Sequence, residues 1–493
     1  MKRTRKTKAN NGSLRQEAMV TTAERSGTYL EAYSELRAQA GEREPVWLRQ
    51  SREDAWTRFS AKGFPTTHDE DWRFTNLAAL AKTPFVRAPK AVAPLLKSQI
   101  EACLLPGAAC QLVFVNGHFA PELSAIEKLP EGLEVHALAQ ALGAKGAAPE
   151  GRHAPEGIEQ HLGRYADVRR DVFAALNTAL WEDGAYIHVR RGAVIEHPVH
   201  LLYLSAGAGR QIMTHPRTLI VAEDHSHASV VEDYVSIGDE AAFSNAVTEL
   251  VAGEGAVVSH FLIERENLAS FNVSTLRIEQ ARAANVSSHS LLLGGGLVRN
   301  NVHPVLAGEG TECLINGLFV GAGHQHLDNY MMVEHARPQG ASRQFYNGIL
   351  AGHARGVFHG RIVVHKDAQK TDAKQTNRNL LLTDTARIDT KPQLEIHADD
   401  VKCTHGATIG QIEEEQLFYL RARGVPAAVA RNLLLYAFAA ECLDRMHESA
   451  ARAFVEKLIA KRLKELALIQ DLDSDSLTGA APVEEEQHWE EVG

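Results

Sequence analysis

From Ala185 to about Gly410 the chain alternates short β-branched runs with polar corners containing Gly, Asp and Asn. Runs of similar make-up return along this stretch: Leu219-Ile-Val-Ala-Glu-Asp224, Leu250-Val-Ala-Gly-Glu-Gly255, Leu276-Arg-Ile-Glu-Gln-Ala281, Val305-Leu-Ala-Gly-Glu-Gly310 and Met332-Val-Glu-His-Ala336. They recur about 26 to 31 residues apart. The later runs starting at Val363, Leu381 and Leu394 recur faster, about 13 to 18 residues apart. A unit this short cannot bury its own apolar side and does so only by stacking on its neighbours. The spacing therefore predicts a solenoid of strand–corner–strand units, with Gly and Asn supplying the corners. The rival fold is an antiparallel sandwich, which places Asn-Gly hairpin turns between alternating strands. Asn116-Gly117, Asn316-Gly317 and Asn347-Gly348 are such dipeptides. The last two fall about one repeat apart, which reads as equivalent corners of a solenoid.

Helical patterns flank the repeats. Thr22 to Leu36 is rich in Ala, Glu and Leu, and Pro45 opens a second segment with Leu48, Ala55, Trp56 and Phe59 at helical spacing. Gln111 to Gly117 reads as a strand ending in a turn, residues 142–156 as a loop, and Asp171 to Trp181 as a short helix. Beyond the repeats, Glu413 to Arg423 ends at the stop residue Gly424, and Pro426 opens another helix. There Val429, Leu433, Tyr436, Ala440 and Leu443 form one apolar stripe. The expected organisation is a disordered basic leader over 1–20, with Met19 as an alternative start, and an N-terminal helical and mixed domain over 21–160. A solenoid core over 161–410, a helical domain over 411–468 and an acidic disordered tail over 469–493 follow.

The net charge of −10 argues against a nucleic-acid-binding surface. No apolar run approaches the roughly 18 residues of a membrane span, and the basic start lacks the apolar segment of a secretory signal. The five cysteines are few, scattered and odd in number, which points to a reducing cytoplasm rather than a disulfide framework. There is no P-loop, no dinucleotide fingerprint (Gly294-Gly-Gly296 is too short and misplaced) and no G-x-S-x-G elbow.

One local feature carries chemistry. In Val401-Lys-Cys-Thr-His-Gly406, a strand places Cys403 and His405 on one face, roughly 7 Å apart at the backbone. Thiolate and imidazole both ligate iron or zinc, yet two ligands do not complete a site. A second chain supplies the rest, or the pair is simply packed in a strand. His324-Gln-His326 has the same spacing and reads as structural in a chain with 24 histidines. Asp399-Asp400, adjacent in a strand-like segment, points to opposite faces and reads as a corner.

Several stretches resemble the SufB/SufD family: Glu70-Asp-Trp-Arg-Phe-Thr-Asn76, Gly360-Arg-Ile-Val-Val364, Ala368 to Leu382, Pro392 to Thr408, and Gln416-Leu-Phe-Tyr-Leu-Arg-Ala-Arg-Gly424. The similarity spans roughly residues 60 to 460. SufB-type chains carry a cluster-building cysteine where this chain has Ala386, and His-Glu-Ala-Thr where it has His405-Gly-Ala-Thr408. Loss of the cysteine and glutamate with retention of the histidine is the pattern of the SufD branch.

The resemblance implies a mainly β fold, a right-handed parallel β-helix core flanked by N-terminal and C-terminal helical regions. It also implies a non-ATPase scaffold subunit of a SufBCD complex that supports iron–sulfur cluster assembly. A SufB-like β-helix subunit would pair through its strands, or a second copy of this chain in isolation. A SufC-like ABC-type ATPase would dock on the C-terminal helices, where the stripe Val429, Leu433, Tyr436 and Ala440 suits helix-in-groove binding. His405 and Cys403 would face the assembly interface and act as its metal ligands. The expected cofactor is a transient cluster in the complex, with none held stably by the isolated chain. The alternatives are an interaction solenoid without a metal role and a β-helix carbohydrate-active enzyme. The latter requires convergent acids, and no same-face set is evident.

Overall fold

A computed structural model of the chain describes residues 27–40, 44–90, 97–143, 157–207 and 209–478. The repeat region winds into a parallel β-solenoid of about eight turns, built from an 11-stranded and a 10-stranded sheet. Each turn gives one strand to each sheet. In the first sheet Thr248 lies beside Leu276, Leu276 beside Val302, and Val302 beside Met331. One coil thus takes about 30 residues, the longer spacing seen in the sequence. The shorter spacing is half a coil: Val363 lies in the first sheet, Leu381 in the second and Leu394 in the first again.

Of the three Asn-Gly dipeptides only the first is a turn. Asn116 and Gly117, both with positive φ, join the antiparallel strands Cys110–Val115 and His118–Phe119. Asn316-Gly317 and Asn347-Gly348 lie inside strands Glu312–Gly321 and Ala341–Leu350, so the expectation of corners is corrected. Their register is offset, Gly317 pairing with Tyr346 and Phe319 with Gly348. Each glycine instead makes room for a ring: a Cβ on Gly317 would lie 2.1 Å from Tyr346 Cε1, and one on Gly348 2.3 Å from Phe319 Cζ.

Between the sheets the lumen is filled by Leu250, Leu276, Val302 and Met331 from the first sheet and by Val258, Val286, Cys313 and Phe319 from the second, with a hydrogen-bonded group of Glu232, Thr248, His260 and Ser288 among them. The outer faces are covered by helices. Helices α1 (Gly27–Ala40), α2 (Val46–Lys62) and α3 (Val172–Leu180) lay Tyr29, Phe59 and Phe173 against Phe243 and Val273 of the first sheet. Asp171 caps α3, accepting from the Phe173 and Ala174 amides. Beyond the solenoid come α4 (Glu414–Ala422), α5 (Ala427–Leu443) and α6 (Ser449–Thr478). Leu435, Phe438, Val455 and Ile459 of α5 and α6 pack on Phe261, Leu318 and Ile349 of the second sheet. Each such side chain contributes about 1.5–3 kcal/mol of hydrophobic stabilisation.

The expected boundaries shift accordingly. Strands Cys110–Val115 and Leu133–Ala137 already belong to the two sheets, before residue 161. Helix α6 runs to Thr478, past the expected tail start at 469, because Lys464-Glu-Leu-Ala-Leu is strong helix-forming sequence. The expected leader and the end of the tail lie outside the described residues. No described helix is long and apolar enough to cross a membrane.

Candidate functional site at the open end of the solenoid

The two ends of the solenoid differ. At the N-terminal end Leu133–Ala137 pairs antiparallel with Gly184–Val189, and His118–Phe119 folds back on Cys110–Val115. At the other end Arg387–Ile396 and Lys402–Gly410 are the last strands of their sheets, and among the described residues no further strand pairs with either. Ile396 is 41% exposed and Ile409 52%. A free edge of this kind presents unpaired backbone N–H and C=O groups to another strand.

Cys403 and His405 lie on Lys402–Gly410, two residues apart and on one face as the strand period requires. Cys403 continues the ladder Cys313–Ser342–Ala373 and packs with Ala373, Ala398 and Leu394. That burial pushes its thiol pKa upward and disfavours the thiolate. His405 continues the ladder Ile315–Gln344–Gln375 and is exposed. Ile315 is part of the lumen core, so both side chains stand at the mouth of the lumen. Among the described residues no three metal-ligating side chains gather around one point. Two donors side by side do not complete a metal site.

The other paired motifs separate. His324 is exposed at a corner, where its ring stacks on His353 one coil on (centroids 5.0 Å apart), whereas His326 begins a strand and hydrogen-bonds Thr75 at 2.9 Å. Asp399-Asp400 lies at a corner, with Asp400 paired to Lys370, as its sequence suggested.

The C-terminal stripe is resolved as the outward face of α5. Val429 is 48% exposed and Leu433 50%, while Tyr436 and Ala440 are half-buried. Leu443, at the end of the same stripe, is buried with Leu435, Phe438 and Cys442. Helix α5 carries apolar residues on both sides, and the sheet covers one of them. Phe418 and Tyr419 of α4 are exposed as well, 72% and 54%, although the helical spacing of α5 did not point to them. Their signal was the adjacent aromatic pair in Gln416-Leu-Phe-Tyr-Leu420. An open groove, lined by Arg378, Thr408, Ile409, Gln416 and Phe438 among others, joins these helices to the edge strand.

The segment Glu70 to Asn76 forms a strap over the outer face of the first sheet. Arg299 lies between the rings of Trp72 and Tyr330, at 4.2 and 4.7 Å, Thr75 bonds Asp328, and Glu70 pairs with Lys391 of the terminal strand.

The family model "SUF system FeS cluster assembly, SufBD core domain" matches residues 204–438, and "SufBD protein N-terminal region" matches residues 23–201. An iron–sulfur cluster assembly SufBD family protein of Synechocystis is 34% identical, over 88% of this chain and 95% of its own length. The iron–sulfur cluster assembly protein SufD of Escherichia coli is 34% identical, over 81% and 90%. The protein of that name in Bacillus subtilis is 26% identical, over 88% and 97%.

Proposed function

Since the chain belongs to the SufBD family of the SUF iron–sulfur cluster assembly system, we propose that it is the SufD-type, non-ATPase scaffold subunit of a SufBCD complex. Its open strand edges pair with those of a SufB-like β-helix by strand addition. The nascent cluster forms there as cargo, with His405 and Cys403 as this chain's contribution to its ligands. The observation that carries this reading is the position of a thiol and an imidazole, side by side, on the uncovered terminal strand. Soft thiolate and imidazole donors suit iron, and an interface that opens lets a finished cluster leave. The exposed apolar face of α4 and α5 docks the SufC-like ATPase. The chain performs no chemistry of its own, holds no stable cofactor when alone, and works in the cytoplasm.

Co-expression of this chain with SufB-like and SufC-like partners tests the reading. His405→Ala leaves assembly of the complex and its ATP hydrolysis near wild type but abolishes iron and brown colour in the co-purified material. Cys403→Ser gives a milder loss. A His405→Ala complex that accumulates wild-type amounts of cluster defeats the ligand role.

A further inference from the structure

The residue directly beneath His405 in the lumen is Gln375, its register partner on the neighbouring strand. Gln375 is 1% exposed. Its Nε2 donates to Gln344 Oε1 at 3.1 Å, one coil further in, and Gln344 Nε2 is left buried without a partner. The side chain crosses the lumen to the first sheet, where Gly360 makes room for it: a Cβ there would lie 1.5 Å from Gln375 Nε2. With its amino end engaged, Gln375 keeps its Oε1 buried and without any hydrogen-bond partner. An orphaned buried acceptor costs about 1–3 kcal/mol. The imidazole above it makes no hydrogen bond among the described residues and stands on the same face, on a strand whose backbone lies about 4.8 Å further along the ladder.

We infer that Gln375 is a positioning residue for His405. When the exposed imidazole turns inward over Gln375, the Oε1 accepts the N–H of one ring nitrogen and holds the proton there. The lone pair of the other nitrogen then faces out of the open end. Metal-ligating histidines are commonly fixed in this way, because the hydrogen bond made by one ring nitrogen sets the tautomer and aim of the other. The Gln344–Gln375 pair is thus a polar post that rises along the ladder to the exposed imidazole of His405 at the mouth of the lumen. This inference rests on the ligand reading of His405 for its purpose, though not for its geometry.

The test uses the full-length isolated chain, labelled with ¹⁵N-histidine, at a pH where the imidazoles are neutral. The His405 signal is assigned by its loss in His405→Gln. In the wild type His405 shows a single tautomer. Gln375→Leu, which removes the acceptor, gives a tautomer mixture, and Gln375→Glu, which restores one, returns the single tautomer. A mixture in the wild type, or a Gln375→Leu spectrum identical to wild type at His405, overturns the inference. The wild-type result decides even if Gln375→Leu fails to fold. Co-expression with the partners separates the two readings. A several-fold loss of cluster in Gln375→Leu, rescued in Gln375→Glu, supports both. A tautomer set by Gln375 with unchanged cluster content supports the positioning and counts against the ligand role of His405.

Discussion

The side-chain amide of Asn347 donates to the backbone carbonyl of Phe438 at 2.8 Å, and one coil earlier Asn316 does the same to Cys442 at 2.9 Å. Both asparagines are wholly buried on the outer face of the second sheet. The step between coils, about 4.8 Å, is close to one turn of helix, about 5.4 Å. Helix α5 can therefore lie along the stack and be gripped once per coil. Asn316→Ala with Asn347→Ala removes these two bonds to α5 and the contact of Asn316 Nδ2 with His289 Nδ1 at 3.0 Å, each worth about 1 kcal/mol. Hydrogen exchange within 427–443 should accelerate several-fold while the lumen strands keep their protection. Unchanged exchange in α5 would show that the apolar contacts alone seat the helix.

The uncovered face of α4 and α5 can be altered without touching that seat. Phe418→Ser with Leu433→Asp changes side chains that are already at least half exposed, so the thermal midpoint should stay near wild type. Capture of the SufC-like ATPase should fall at least tenfold. Such surface variants are cleaner than deletion of 411–468, which would strip the cover from Phe261, Leu318 and Ile349. Retained capture would place the ATPase elsewhere.

Two wholly buried carboxyls, Glu264 and Glu266, lie two residues apart near the corner Gly294–Gly296. Burial raises the pKa of both, and the neighbouring carboxyl raises that of Glu264 further. Unfolding returns each toward the ordinary value of 4.5 and releases protons. Their contribution to stability is therefore complete below about pH 4.5 and declines as pH rises toward the folded value. Buried His215 and His289, pushed down to about 3, act in the opposite sense, but their effect is complete above the ordinary histidine value of 6.5. Between about pH 7 and 8, above the histidine range and below that in which the buried thiols of Cys110, Cys313 and Cys442, pushed up to about 12, come into play, urea unfolding reports mainly on the carboxyls. Glu264→Gln should be more stable than wild type there, with a flatter pH slope. An unchanged slope would mean that Glu264 is ionised in the folded chain.

The strand glycines make a test of packing. Gly317→Ala drives a methyl into the buried ring of Tyr346 and should cost about 1–3 kcal/mol. Gly410→Ala, with nothing within 4 Å of the added atom, is the control and should be nearly neutral. Equal urea midpoints for the two variants would contradict the close packing described at Gly317.

The solenoid was legible because its cause is local. Each run of about 30 residues carries too little apolar surface to fold alone, so the need to stack is written into every repeat. Cys403 and His405 were legible for a similar reason: in any strand, residues two apart share a face. The Asn-Gly dipeptides show where such reasoning stops. The same two residues form a turn at 116–117 and sit inside a strand at 316–317, because at the second place a tyrosine ring one coil away fills the space a side chain would take. Helix α5 is another case. Its apolar residues lie on two sides, and only contact with the second sheet decides that Leu435 and Phe438 are buried while Val429 and Leu433 are left bare. Nor does any repeat reveal which end of the stack stays open, or that Gln375 ends beneath His405. Repeat, strand period and helix caps depend on neighbours along the chain, and these the amino-acid sequence determines by itself. The covered face, the open end and the residue under the imidazole depend on neighbours about 30 or more positions away, which only the coiling of the chain brings together.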